Sequence, residues 1–561
     1  MERKFLLRMM ALLAVLVMLA SLSACAQPAA ETPAVEEPAE GQPAEPAAPS
    51  EPEGEEVVLR IASQYAFDEL SPLRGGGSPV FWHSFWWASP MYYDSGGNLH
   101  PYVFESWDSS EDDTVWTFKI DPNAVFSDGS PITAQDVKAT WDLCAVPTTK
   151  HQRVSLFFSG VVGYGDVING EAKQMDGIVA LDESTVEVTL AASDPVFYKR
   201  VASNLIPPVK ASQAVGPDGE EVLEWWHPKN GVVSSGPFVP VSMDMDKGEA
   251  VFEKNPYFWM GEPRIDKVVL ITVEDSQTAI TMFQNGELDA INELFTPTLV
   301  EELGEEFVSG PMIPRGHQFW LDGSKEPTND INVRKAMILS IDPDMVFEAA
   351  FPQGPGQAVH QLLVAVEGVD PDYVWYEPDL EAAQESLAAS SYGSSENLPK
   401  LLFVGISQAS HELAAQYIAE QWRQGLGIEQ VELKAGYDDF SGPDQERIQI
   451  FRDDAGARFP DPVAYLMGTI HSSSGVAQGK MGGYMNPEVD RLLEEASTKG
   501  ADDPQRIELA LQAHELFLED YMFIPYYFQN MPRYAPPWVM NWSKNLDWQV
   551  VEPWNVYIEQ Q

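Results

Sequence analysis

The sequence predicts a mixed α/β body that folds behind an N-terminal leader and an extended spacer. Three observations carry this expectation. Apolar and alternating β-like segments recur from Val57 onward, with helix-capping signals interleaved between them. The 561 residues are 44% hydrophobic and include 16 Trp, 19 Tyr and 26 Phe, enough apolar surface for two or three folding units of ~100–200 residues each. The first 56 residues share none of this pattern and divide into one apolar run and one run of Ala, Pro and Glu.

Met1 to Arg8 carries Arg3, Lys4 and Arg8, and Met9 to Leu22 carries no charge. A basic start and an apolar run too short to remain across a bilayer read as an export leader. The run ends at Leu22-Ser23-Ala24-Cys25, which resembles the bacterial lipobox, so Cys25 is expected to take a lipid and become the mature N-terminus. An ordinary secretory leader with an incidental cysteine is the alternative; export follows from both. Residues 26–56 hold nine Glu, eight Ala and seven Pro, with no positive charge. Self-repelling, Pro-rich chain is extended, so this segment is a spacer that lets a body stand off a membrane. Leader and spacer together remove 3 basic and 10 acidic residues, and the 31 basic and 76 acidic residues left give the body a charge of −45.

Within the body, strands are expected at Val57–Ala62, Val115–Ile120, Thr185–Leu190, Val268–Val273 and Leu401–Val404. Asp128-Gly129 with Pro131 is turn chemistry leading into a capping box at Thr133 and Asp136. Asn486-Pro487 and Asp503-Pro504 each place a capping side chain before a proline in the first helical turn. In HELAAQYIAEQWRQGLG the residues Leu413, Ala414, Tyr417, Ile418 and Trp422 are expected on one buried face, with Gly425 or Gly427 ending the helix. No internal repeat and no second membrane-length apolar run is present.

The acidity argues against nucleic acid as a partner, because such binding needs Lys and Arg to neutralise phosphates. Catalytic signatures are missing as well. There is no G-x-S-x-G, and His411-Glu412 and His514-Glu515 lack the second His of a zinc helix. Gly475 to Lys480 is one residue short of a phosphate loop and is followed by Met481 in place of Ser or Thr. The Asp244/Asp246 pair lacks calcium-loop spacing. Two cysteines allow no disulfide framework, and Cys144 reads as a small buried hydrophobe. No cofactor, no metal and no enzymatic activity are expected; a hydrolase using carboxylates in an aromatic cleft is the alternative.

Several segments in order resemble the large solute-binding proteins of bacterial ABC importers, extracellular family 5, which includes oligopeptide- and dipeptide-binding proteins. They are Gly96 to Trp141, around FSDGSPITAQDV; SSGPFVP at Ser234 to Pro240 with NPYFW at Asn255 to Trp259; TAITMFQNGELDAIN at Thr278 to Asn292; INVRKAMILSID at Ile331 to Asp342; and FPDPVAYL at Phe459 to Leu466. The resemblance implies a large, three-subdomain periplasmic-binding-protein-like fold of two lobes, with a hinge and a ligand cleft between them. The first lobe is expected at 57–95, 232–315 and 525–561, its extra subdomain at 96–231, and the second lobe at 316–524. It further implies a monomeric lipoprotein outside the cytoplasmic membrane that delivers a peptide or other small solute, oligosaccharide included, to permease subunits.

Candidate ligand contacts are the aromatics Trp82, Trp86 and Trp87 of VFWHSFWW and Phe319 and Trp320 of GHQFWLD, whose faces stack on sugars or apolar side chains. Core packing is the alternative for each. Asp461 and Arg458 of ARFPDP complete the set. Peptide binders of the family carry an Asp at the position of Arg458, where it pairs with the ligand's ammonium group. The reversed charge implies that a free peptide N-terminus is not anchored there and that the ligand is an oligosaccharide, an anionic solute or a peptide held differently; the alternative is that Arg458 simply pairs with a nearby carboxylate, Asp453, Asp454 or Asp461.

Overall fold

The computed structural model describes residues 56–63, 69–75, 82–292, 297–304, 307, 312–352, 356–364, 366–370, 372–404, 409–434, 447–456, 459–530, 533–544 and 550–559. Cys25 and the spacer up to residue 55 lie outside them.

Among the described residues three sheets of four to six strands build most of the body, beside two two-stranded ones. The first has five strands in the spatial order Ala290–Asn292, Val58–Ser63, Lys267–Thr272, Glu249–Lys254 and Phe238–Asp244. Val58–Ser63 runs parallel to both of its neighbours. Its side chains alternate, so Leu59 and Ile61 join one hydrophobic cluster and Ala62 joins another on the opposite face. A four-stranded sheet, Phe104–Ser109, Val115–Ile120, Thr185–Thr189 and Ile178–Ala180, shares the larger of these clusters. Trp141, on the helix Ala134–Ala145, fills it edge-on to Phe104 and Phe118. Both arms of the expected capping box at Thr133 and Asp136 are present. Asp128 closes the preceding turn by accepting from Ser130, with Gly129 at φ 80°.

The third sheet has six strands in the order Gly356–Gln357, Phe523–Asn530, Met312–Leu321, Ile450–Gly456, Leu401–Val404 and Val431–Lys434. It is likewise buried on both faces, with Phe319 and Ile450 in one cluster and Trp320 and Phe451 in the other. The fold is thus α/β with two lobes, in which the five-stranded and the six-stranded sheets each lie between apolar layers.

Met312–Leu321 is the first strand of this six-stranded sheet in chain order and Phe523–Asn530 the last. These two strands pair with each other, from Met312 opposite Asn530 to Trp320 opposite Phe523. Beyond them Ala535, Val539, Trp542 and Trp554 return to the first lobe's main cluster.

Local signals translated well. Asn486 and Asp503 cap Pro487–Ser497 and Pro504–Leu518 as expected. The helix Ala409–Leu426 gives one correction: its buried stripe is His411, Ala414, Ala415, Ile418 and Trp422, whereas Leu413 is half exposed. Leu413 is one position off the i, i+4 line through Ala414, Ile418 and Trp422, and that step of about 100° turns it to solvent.

Candidate functional site

The aromatics expected in a cleft are packed inside the cores. Trp82, Trp86, Trp87, Phe319 and Trp320 are all fully buried. Trp86 stacks on Phe252 at 4.5 Å between ring centres, and Trp87 packs against Trp225. Phe319 stacks on Tyr526, and Trp320 lies against Phe523. This corrects the expectation that they meet solute: their neighbours already cover them. Gly236, inside the SSGPFVP motif, is glycine because a Cβ there would lie 2.5 Å from the Trp86 carbonyl carbon.

Asp461 is also structural. It caps the helix Pro462–Thr469 by accepting from Ala464 N at 2.8 Å, and it is buried against Arg506, whose Nε and Nη2 each donate at 3.0 Å. Arg458 lies outside the described residues. The neighbouring carboxylates each have a basic partner, Lys480 for Asp453, Arg315 for Asp454 and Arg506 for Asp461.

The structure brings together a polar cluster on one face of the third, six-stranded sheet. Arg315, His317 and Phe319 alternate onto that face of the strand Met312–Leu321. The register sets Arg315 opposite Gly456, His317 opposite Asp454 and Phe319 opposite Arg452. Arg452 Nη2 donates to His411 Nε2 at 2.8 Å and to His317 Nδ1. Arginine can only donate, so both imidazole atoms are acceptors, and His411 Nδ1–H is left to donate to Tyr526 Oη at 3.0 Å. Rings continue the wall, with Tyr527 stacked on His317 at 4.8 Å and on Phe351 at 4.1 Å.

Burial first and Arg452 second hold His411 down at about 3, and the same two causes keep His317 well below its ordinary value. Burial pushes the Asp454 carboxyl up, but the charges of Arg315 and Arg452 outweigh it and hold it at about 2. On the other face of the strand Lys480 pairs with Asp453; burial and the Arg452 charge lower it to about 8.

The cluster becomes more exposed toward the end of its strand. Exposure rises along the strand from buried Ile450 through Arg452 to Asp454 and its partner Arg315, whose side chains are 24% and 38% exposed. Shortly after the strand ends, Phe459 is buried in the first lobe's main cluster. Pro460 meets Gly97 of the first lobe, where a Cβ would lie 3.1 Å from Pro460 Cγ. Among the described residues no group of three or more His, Cys, Asp or Glu is placed to hold a metal ion, and no helix is long and apolar enough to cross a membrane.

Of the residues on this face only Phe319 was singled out as a ligand contact from the sequence, and its ring is packed in the core. The available signal was alternation, since His317 precedes Phe319 by two positions and FRDD puts Arg452 and Asp454 on one face.

Residues 98–476 match the family described as bacterial extracellular solute-binding proteins, family 5 Middle. The chain is 28% identical over 461 residues to the periplasmic oligopeptide-binding protein OppA of Salmonella typhimurium, covering 80% of this chain and 82% of that one. It is 23% identical over 509 residues to the periplasmic murein peptide-binding protein MppA of Escherichia coli, covering 88% and 91%. Among solved structures, MppA in its unliganded open form superposes with a TM-score of 0.75 at 22% identity, covering 91% of this chain and 98% of that one. Haemophilus influenzae OppA in complex with RPPGFSPFR gives 0.67 at 22% identity, covering 90% and 100%. The chain belongs to the bacterial extracellular solute-binding proteins of family 5: it is a binding protein of the transport type and not an enzyme.

Proposed function

We propose that this protein captures peptides between its lobes and delivers them to the permease of an ABC importer. The observation that carries the reading is the match, along 80% of the chain, to a protein named for binding oligopeptides. The polar and aromatic cluster beside the lobe junction supports it, since a peptide has polar backbone and apolar side chains to satisfy together. The lobes proposed to close on each other are 57–95 with 232–315 and 525–561, carrying 96–231, against 316–524. The paired strands Met312–Leu321 and Phe523–Asn530 would serve as the hinge. Ligand that touches both lobes only in the closed state shifts the equilibrium toward closure by its differential affinity, and the permease reads the closed form.

Arg458 sets the expected mode of binding. Its guanidinium repels an ammonium group, so the ligand's N-terminus is not anchored there. Calorimetric titration with di- to pentapeptides, free and N-acetylated, tests both statements. Peptides are expected to bind, with affinities that acetylation changes by less than about threefold. A loss of about tenfold or more (~1.4 kcal/mol) on acetylation contradicts the role given to Arg458. Saturable binding of oligosaccharides with none of peptides contradicts the ligand class.

The monomer is held to the membrane by lipid on Cys25, and residues 26–56 give it reach while keeping it concentrated near the permease. Cys25→Ser is expected to release the protein from the membrane fraction and abolish labelling by a fatty-acid probe. Unchanged retention without label contradicts the anchor.

A further inference from the structure

We infer that Asp454 is a specificity-determining residue, an internal carboxylate that occupies the Arg315–Arg452 pair and keeps ligand carboxylates away from it. This deepens the reading above and rests on solute lying beside the cluster. The two oxygens of Asp454 face different cations. Oδ2 accepts from Arg315 Nε at 2.6 Å and contacts Arg315 Nη2, while Oδ1 faces Arg452 Nη1 at 3.6 Å. A single carboxylate thus stands between two guanidinium groups, the position a ligand carboxylate would take, since planar forks of donors favour planar anions.

The rest of the cluster offers such a ligand little in exchange. Arg452 Nη2 is already engaged by two imidazoles, and Lys480 pairs with Asp453 on the opposite face of the strand. Among the described residues the charges of Arg315, Arg452 and Lys480 stand against those of Asp453 and Asp454, with both histidines neutral. An incoming carboxylate would meet Asp454 at close range, where like charges a few ångströms apart repel strongly away from bulk water. Asp454 and Arg315 lie at the partly exposed end of the cluster, within reach of solute. The wall beside them is the Phe351–Tyr527–His317 stack. The class of ligand that fits is a peptide that presents an apolar side chain, an amide or another uncharged group here.

The test compares wild type, Asp454→Asn and Asp454→Glu, using a set of tetrapeptides as free acids and as C-terminal amides, together with sulfate against chloride at matched ionic strength. Wild type and D454E are expected to bind acid and amide within a few-fold of each other, or to favour the amide, and to show no saturable stabilisation by sulfate. D454N is expected to shift the acid-to-amide affinity ratio at least about tenfold toward the acid and to gain saturable stabilisation by sulfate. A purely structural Asp454 would lower the stability of D454N and move neither readout. Wild type favouring the free acid by about tenfold or more overturns the inference whether or not D454N folds. If peptides bind but the ratio does not move, the role of Asp454 fails and the peptide reading stands. If no peptide binds while D454N alone gains sulfate binding, the peptide reading fails and the role of Asp454 stands.

Discussion

Replacing Asp461 by alanine is expected to destabilise the body by about 3–5 kcal/mol, because it strands a buried guanidinium. Asp461 and Arg506 are each only 2% exposed. The carboxylate takes one donor from Arg506 on each oxygen and the Ala464 amide on Oδ1. Without it Arg506 retains two carbonyls, Ala496 O at 3.0 Å and Lys499 O at 3.1 Å, which orient the cation but do not neutralise it. Loss of the helix cap adds about 1 kcal/mol. Asp461→Asn keeps an acceptor for the cap and removes the charge, so it is expected to fall between wild type and alanine. Urea unfolding at pH 7.5 measures the series. A midpoint for Asp461→Ala that matches wild type, with the same slope, contradicts the structural role.

Acidification is the second large effect, and it is expected to begin well above the carboxylate range. Burial holds His83, His411 and His514 at about 3, whereas a histidine in the unfolded chain titrates near ~6.5. Between those values the unfolded state binds more protons than the native state, so stability is fully present above about pH 6.5 and falls as pH drops through the window. At pH 5 each of the three costs roughly 2 kcal/mol, and His317, shifted in the same direction, adds to the loss. Asp142 and Asp289 are raised by burial and oppose the trend, but only near and below their folded-state values. Urea midpoints from pH 7.5 to 5 should therefore fall steeply, and His514→Met should reduce the slope by about one proton. A flat profile over that range contradicts the burial of neutral histidines.

The parts legible in the sequence are those fixed within a few residues. The Thr133 capping box, the Asp128-Gly129 turn and the two Xaa-Pro helix starts depend on neighbours three or four positions away, and each formed as read. The aromatic candidates failed as cleft residues because composition does not separate a ring that packs from a ring that stacks on ligand. Trp86 acquires its role from Phe252 and Trp320 from Phe523, partners more than 150 residues away. The cluster was hidden for the same reason. His317, His411, Arg452 and Tyr526 come from four separated segments, and only the register that sets His317 opposite Asp454 and Phe319 opposite Arg452 gathers them. Asp461 was misassigned because a buried carboxylate and a ligand-facing one look alike until the partner, Arg506, is seen 45 positions away.

Closure of the two lobes on a peptide is the central claim, and small-angle scattering on residues 57–561 tests it most directly. The probe is the tetrapeptide that binds most tightly by calorimetry, added at saturation to the monomeric protein. The radius of gyration is expected to decrease on addition, because a solute held by both lobes favours the closed arrangement. An unchanged radius with a peptide that saturates and stabilises the protein would contradict it.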